Sequence, residues 1–326
     1  MTRALGRSGI EVSALGVGCW AIGGPFFEKG KPLGWGEVDD DESIRALHRA
    51  LELGVTFYDT AAVYGTGHSE EVLGRAFAGR RDEVVLATKF GIAFDEARRE
   101  ALGDETSPAA LRGQLEGSLR RLGTDRIDLF QLHAGALPVD QALELVPVLD
   151  EFVKEGSIRA YGWSTDDAER AAAFAAASPL VTSVQHDFSV VRDTADVLAV
   201  AERFDLASIN KGPLAMGLLT GKYTASSKVG DDDIRGVSPD WMEYFRDGVP
   251  APHLLARIDS VREILRSGGR TLAQGALAYN WGRSGKTIPI PGCRTVAQVE
   301  ENAGALAFGP LTPEQVAEVD ALLGRR

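Results

Sequence analysis

The strongest constraint on this chain is an alternation that runs almost its whole length. Short apolar runs recur at 14–18 (ALGVG), 56–60 (TFYDT), 83–89 (EVVLATK), 127–133 (IDLFQLH), 158–164 (IRAYGWS), 181–185 (VTSVQ), 206–210 (LASIN) and 286–290 (KTIPI). Between them lie stretches with helical periodicity at 40–54, 69–79, 107–123, 139–156 and 165–178. Asp40 or Asp41 is the expected cap of the first of these, and Thr165 of the last. Continuous apolar runs separated by helices predict parallel strands joined by right-handed βαβ crossovers. Eight such units favour α/β architecture closed into a (β/α)8 TIM barrel over an open doubly wound sheet. The N-terminal TRALGRSGIEVS predicts a hairpin turning at Arg7-Ser8-Gly9 that plugs the barrel bottom. The segment 311–323 predicts an extra C-terminal helix capped by Thr312, with Pro313 at its first position. No domain boundary is visible, so 1–326 is expected to be a single barrel domain.

Two segments break the spacing. Residues 222–252 form a long polar insertion after the seventh run, and 92–107 a shorter one after the third. Loops that follow barrel strands sit on the catalytic face, so both are expected to cover a substrate or cofactor. A net charge of −12 argues against nucleic acid or an anionic membrane surface, since both need a basic face. The two cysteines, Cys19 and Cys293, suit small buried hydrophobes, and no Cys/His spacing suggests a metal. The N-terminus lacks an apolar targeting core and no run reaches membrane-spanning length, which points to a cytoplasmic protein.

The strand ends carry the chemistry. The second run ends at Asp59, the third at Lys89 and the fourth at His133, with Tyr64 in the loop after the second. Each alone reads as an ordinary rim residue. Together, at successive strand ends of one barrel, they converge on one pocket. A lysine beside a phenol is a general-acid arrangement: the ammonium favours phenolate and is expected to lower the pKa of Tyr64. Asp59 would hold Lys89 charged, and His133 would orient a carbonyl oxygen or relay a proton. Such a set protonates an alkoxide as it forms but supplies no electrons, so a nicotinamide hydride is expected.

The stretches FYDTAAVYGTGHSEEVLG, VVLATKFG, IDLFQLH and IPGCRTVAQVEEN, in this order, resemble the aldo-keto reductase superfamily. The resemblance covers nearly the whole chain. It implies a (β/α)8 barrel, NADPH (NADP+) as cofactor and a small-molecule carbonyl substrate. It also implies a catalytic tetrad of Asp59, Tyr64, Lys89 and His133, with Tyr64 as the acid. For the cofactor it implies Ser164, Thr165 (where the family has Asn) and Gln185 at the carboxamide. Lys211 stands near the place of a stacking aromatic, and Pro213, Leu214 and Gly217 follow along the pyrophosphate. Gly292 and Arg294 would take the 2′-phosphate, and Gln298 and Asn302, one turn apart, would flank the adenosine.

Trp20, Phe26 and Trp35 are expected to wall the substrate pocket. GVGCWA (16–21) and GTGHSE (65–70) approach a dinucleotide fingerprint, but the first opens no helix and the second lacks its last glycine; both read as turns. Two other functions stay open on the sequence: a Schiff-base aldolase using Lys89 or Lys211, and a non-catalytic NADPH-binding redox sensor.

Overall fold

A computed structural model of the chain describes residues 1–325. All eight expected strands are present: β1 (Gly16–Gly18), β2 (Phe57–Asp59), β3 (Val85–Phe90), β4 (Ile127–Leu132), β5 (Ile158–Ser164), β6 (Val181–Asp187), β7 (Ala207–Lys211) and β8 (Thr287–Pro289). They form one parallel sheet in sequence order. The sheet nearly closes on itself where Gly18 N donates to Pro291 O at 3.0 Å and Gly18 pairs with Gly292. Gly18 has to be glycine there, because a Cβ would lie 2.6 Å from the carbonyl of Ile290.

Helices α1 (Asp40–Glu52), α2 (His68–Ala76), α3 (Pro108–Leu122), α4 (Val139–Glu155), α5 (Ala168–Ala177) and α6 (Ala195–Arg203) alternate with the strands. Two helices, α7 (Pro252–Leu265) and α8 (Leu272–Arg283), precede β8, and α9 (Val296–Phe308) follows it. The expected terminal helix is α10 (Pro313–Leu322), in which Thr312 and Gln315 form a capping box. Two caps move. Asp39 caps α1, its side chain accepting from Glu42 N, because Asp40 and Asp41 already lie in the first turn. Asp167 caps α5, its side chain accepting from Arg170 N, because Thr165 lies two residues before it, where its hydroxyl accepts from Asp167 N instead.

The N-terminal hairpin pairs Thr2–Ala4 with Glu11–Ser13. Its Leu5, Ile10 and Val12 enter the barrel and pack with Phe57, Val85, Ala87, Leu129, Ala160, Ala207, Ile209, Ile288 and Ile290. Arg7 clamps the plug by donating to the carbonyls of Val181, Ala175 and Ser178. The barrel bottom is therefore dry, and chemistry is left to the other end.

The two insertions are structured. Residues 92–107 contain a hairpin (Ile92–Asp95 with Glu100–Asp104) that joins Phe27–Glu28 and Lys31–Pro32 in a four-stranded sheet. The 222–252 insertion carries a short helix, Ile234–Val237, and a ribbon, Phe245–Arg246 with Val249–Pro250. It crosses to the far rim, where Ile234 N donates to Gly34 O at 2.9 Å and Asp233 pairs with Trp35. Arg235 fastens it, buried on Asp233 at 2.5 Å with its guanidinium 4.5 Å from the Trp35 ring.

Candidate active site

Side chains alternate along a strand, so residues two apart face the same side. Above the apolar plug that alternation points Asp59 (β2), Lys89 (β3), Gln131 (β4) and Gln185 (β6) into the barrel, all nearly inaccessible to solvent. Lys89 Nζ donates to Asp59 Oδ1 at 2.5 Å, to Thr60 O at 2.8 Å and to the Tyr64 hydroxyl at 3.4 Å. The other oxygen of Asp59 accepts from Gln131 Nε2 at 2.9 Å and Gln185 Nε2 at 2.7 Å. The buried carboxylate thus has partners on both oxygens, which is what burying a charge requires.

Tyr64 stands above this layer in the turn Tyr64–Gly67. The turn packs so tightly on the loop after β1 that a Cβ at Gly65 would fall 1.9 Å from Gly23 O. The ring of His133 lies edge-on to that of Tyr64, centroids 5.7 Å apart at 83°. Trp20 stacks on the other side at 5.9 Å and 21°, and Trp35 meets Trp20 edge-on at 5.3 Å. The four polar residues expected at one pocket are brought together.

Protonation follows from this packing. Burial lowers the pKa of the Lys89 ammonium, but Asp59 and Tyr64 outweigh it and the net shift is upward, so Lys89 is a cation. For Tyr64 the expectation reverses: burial raises its pKa, Lys89 offsets only part, and the Asp59 charge adds to the rise. The phenol is a protonated acid at neutral pH. Burial, then the cations of Lys89 and Lys211, depress His133 well below its ordinary value, so its imidazole is neutral.

The remaining expected residues divide. Ser164 lies buried at the inner end of β5. Thr165 donates its hydroxyl to Gly135 O, and the amide nitrogen of Gln185 donates to Asp59. Lys211 ends β7 opposite Asp187 and lies 3.5 Å from Asp166. Pro213, Leu214 and Gly217 form the turn above β7, in which Ala215, Met216 and Gly217 all have positive φ. Gly292 closes the seam beside Gly18. Arg294 reaches across it to the carbonyls of Trp35 at 2.9 Å and Glu37 at 3.4 Å. Gln298 Oε1 accepts from Arg294 N. Asn302 is buried, facing the seam lined by Leu15, Val17 and Val299. Phe26 is buried with Ala61, Val63 and Ala101, in the cluster against which Trp20 and Tyr64 pack.

Several residues at this face were not found by sequence reasoning. Gln131 is visible in IDLFQLH only as an inward strand position. Trp241 comes from the insertion, half-exposed and 6.4 Å from Trp20. Tyr244, also from the insertion, donates to Asp187 Oδ2 at 2.8 Å. Burial pushes Asp187 up to about 6. Its Oδ1 is buried without a partner, as are the indole nitrogens of Trp20 and Trp35. The unsatisfied indole donors of Trp20 and Trp35, with Arg294 held at Trp35, suit a ligand rich in acceptors.

Residues 14–323 match the model of the "Aldo/keto reductase family". The chain is 32% identical to the aldo-keto reductase YhdN of Bacillus subtilis over 91% of this chain and 86% of that protein. It is 30% identical to the aldo-keto reductase yakc [NADP(+)] of Schizosaccharomyces pombe, over 94% of this chain and 86% of that one. The solved glycerol dehydrogenase AKR11B4 of Gluconobacter oxydans superposes with a TM-score of 0.79 at 31% identity, over 99% of this chain and 95% of its own.

Proposed function

The chain belongs to the aldo/keto reductase family, and from that premise we propose that it reduces an aldehyde or ketone to an alcohol with NADPH, using Tyr64 as the acid. The observation that carries this reading is the Lys89 ammonium, buried and bonded to both the Asp59 carboxylate and the Tyr64 hydroxyl.

NADPH supplies the hydride, which the side chains of this site cannot. Arg294, Gly292 and the turn from Pro213 to Gly217 would hold its phosphates, and Ser164 its carboxamide. The substrate carbonyl would sit under Trp20, its oxygen toward Tyr64 and His133. Neutral His133 orients that oxygen by hydrogen bonding, and Tyr64 delivers its proton as charge develops there. Lys89 stabilises the phenolate left behind. Asp59, held by Gln131 and Gln185, keeps Lys89 charged and in place. Lys89 held as an ammonium argues against an aldolase, whose lysine must attack as a free amine.

The test is NADPH oxidation by the purified protein with a panel of aldehydes and ketones. Turnover by wild type and none by Tyr64→Phe supports the reading. Equal turnover in both would remove Tyr64 as the acid.

A further inference from the structure

The N-terminus of α9 is already filled by side-chain acceptors. Thr295 caps it by accepting from Gln298 N, and Gln298 Oε1 accepts from Arg294 N at 2.8 Å. The next backbone donor, Val296 N, is taken from outside: Glu42 in the first turn of α1 accepts from it through Oε1 at 3.0 Å. The other oxygen of Glu42 is paired with Arg45 at 2.7 Å. The Val296 N–H and then Arg45 hold the Glu42 carboxyl below its ordinary range, so it is ionised at neutral pH. Arg294, two residues before Val296, donates only to the neutral carbonyls of Trp35 and Glu37; among the described residues it has no carboxylate partner.

This end of the helix therefore combines one cation without a counter-charge and one resident anion. A helix N-terminus with exposed donors favours an incoming phosphate. A carboxylate already seated on those donors does the opposite: it fills one of them and repels a second negative charge.

We propose that Glu42 is a specificity-determining residue that competes with the 2′-phosphate of NADPH at the start of α9, narrowing the preference for NADPH over NADH that Arg294 provides. This rests on the reductase reading, in which Arg294 takes that phosphate. NADH lacks the phosphate and is indifferent to Glu42. Arg45 acts with the opposite sign, because it neutralises the competitor.

The test is titration of the full-length protein with NADPH and NADH, following tryptophan fluorescence. Glu42→Gln keeps an acceptor oxygen for Val296 N, and so the α1–α9 contact, but removes the charge. It is expected to tighten NADPH roughly two- to fivefold, the effect of one charge at an exposed helix end, with NADH unchanged. Arg45→Ala, on the exposed face of α1, is expected to weaken NADPH while sparing NADH. An unchanged ratio of the two affinities in both variants, or parallel shifts for both nucleotides, would overturn the role of Glu42 and leave the reductase reading standing. Wild-type protein that bound neither nucleotide would overturn both.

Discussion

Asp59 and Lys89, on adjacent strands and thirty residues apart in sequence, meet at 2.5 Å inside the barrel, both almost wholly buried. The pair links the stability of this protein to its chemistry, because the same ammonium that neutralises Asp59 also contacts the Tyr64 hydroxyl.

Removing one partner alone should cost more than removing both. Lys89→Met leaves a buried carboxylate with no cation, a loss of about 3–5 kcal/mol. Asp59→Asn in the same chain should recover part of it. Denaturant midpoints of the two single variants and the double variant measure the coupling, and additive losses would show that the two do not act as a pair.

Tyr64→Phe deletes one hydroxyl and leaves the ring on Trp20. Carbonyl reduction should fall by about 10²–10⁴, the usual worth of a positioned acid. NADPH affinity should stay within about twofold, well under the tenfold that 1.4 kcal/mol would produce. Single-turnover hydride transfer and a nucleotide titration separate the two effects.

Arg294→Ala should weaken NADPH by about ten- to a hundredfold, the range for losing a charge-assisted hydrogen bond to a phosphate. NADH should change much less, and only through the released loop at Trp35 and Glu37. Equal losses for both nucleotides would show that Arg294 does not read the 2′-phosphate.

Acid should destabilise the fold in a defined window. Burial pushes His186 down to about 3, and His133 is also depressed, so both stay neutral in the folded state while the unfolded chain protonates them below about 6.5. A depressed folded pKa means stability that is present above the unfolded value and lost as pH falls. Asp187 works the other way. Raised to about 6, it takes up its proton in the folded state first, which stabilises the fold as pH drops from about 6 toward about 4. The balance between pH 6 and 4 is about one proton bound on unfolding, or about 1.4 kcal/mol per pH unit. Asp187→Asn should steepen that slope toward two protons. Unfolding free energies at pH 6 and 5 test it, and a flat profile in the variant would contradict the assignment.

The insertion should depend on Arg235. Arg235→Ala strands Asp233 and removes the donors to Met216 O and the Tyr223 hydroxyl. Limited proteolysis within 222–252 should accelerate severalfold, and unchanged cleavage would show that the Trp35 contacts suffice.

The barrel was legible because its signals are local. Strand C-termini of a barrel converge on one face, so the positions of Asp59, Lys89 and His133 at the ends of their runs already placed them together. The caps of α1 and α5 were misplaced by one and two residues, since runs of adjacent hydroxyl and carboxylate side chains offer several candidates and only backbone geometry chooses. The pKa of Tyr64 was misjudged in direction because the sequence shows that a lysine is near but not how much water is excluded.

By itself, then, the sequence determined the eight-fold strand and helix alternation and the acid-type set gathered at the strand ends, which follow from spacing along the chain. Only the tertiary structure decided which residues from distant segments complete the site. Gln131 and Gln185 bind the same oxygen of Asp59 across 72 and 126 residues of chain. Arg294 reaches Trp35 across 259 residues, and Glu42 reaches Val296 across 254. Such contacts exist only once β8 has returned beside β1, because closing the barrel creates neighbours that no local pattern encodes.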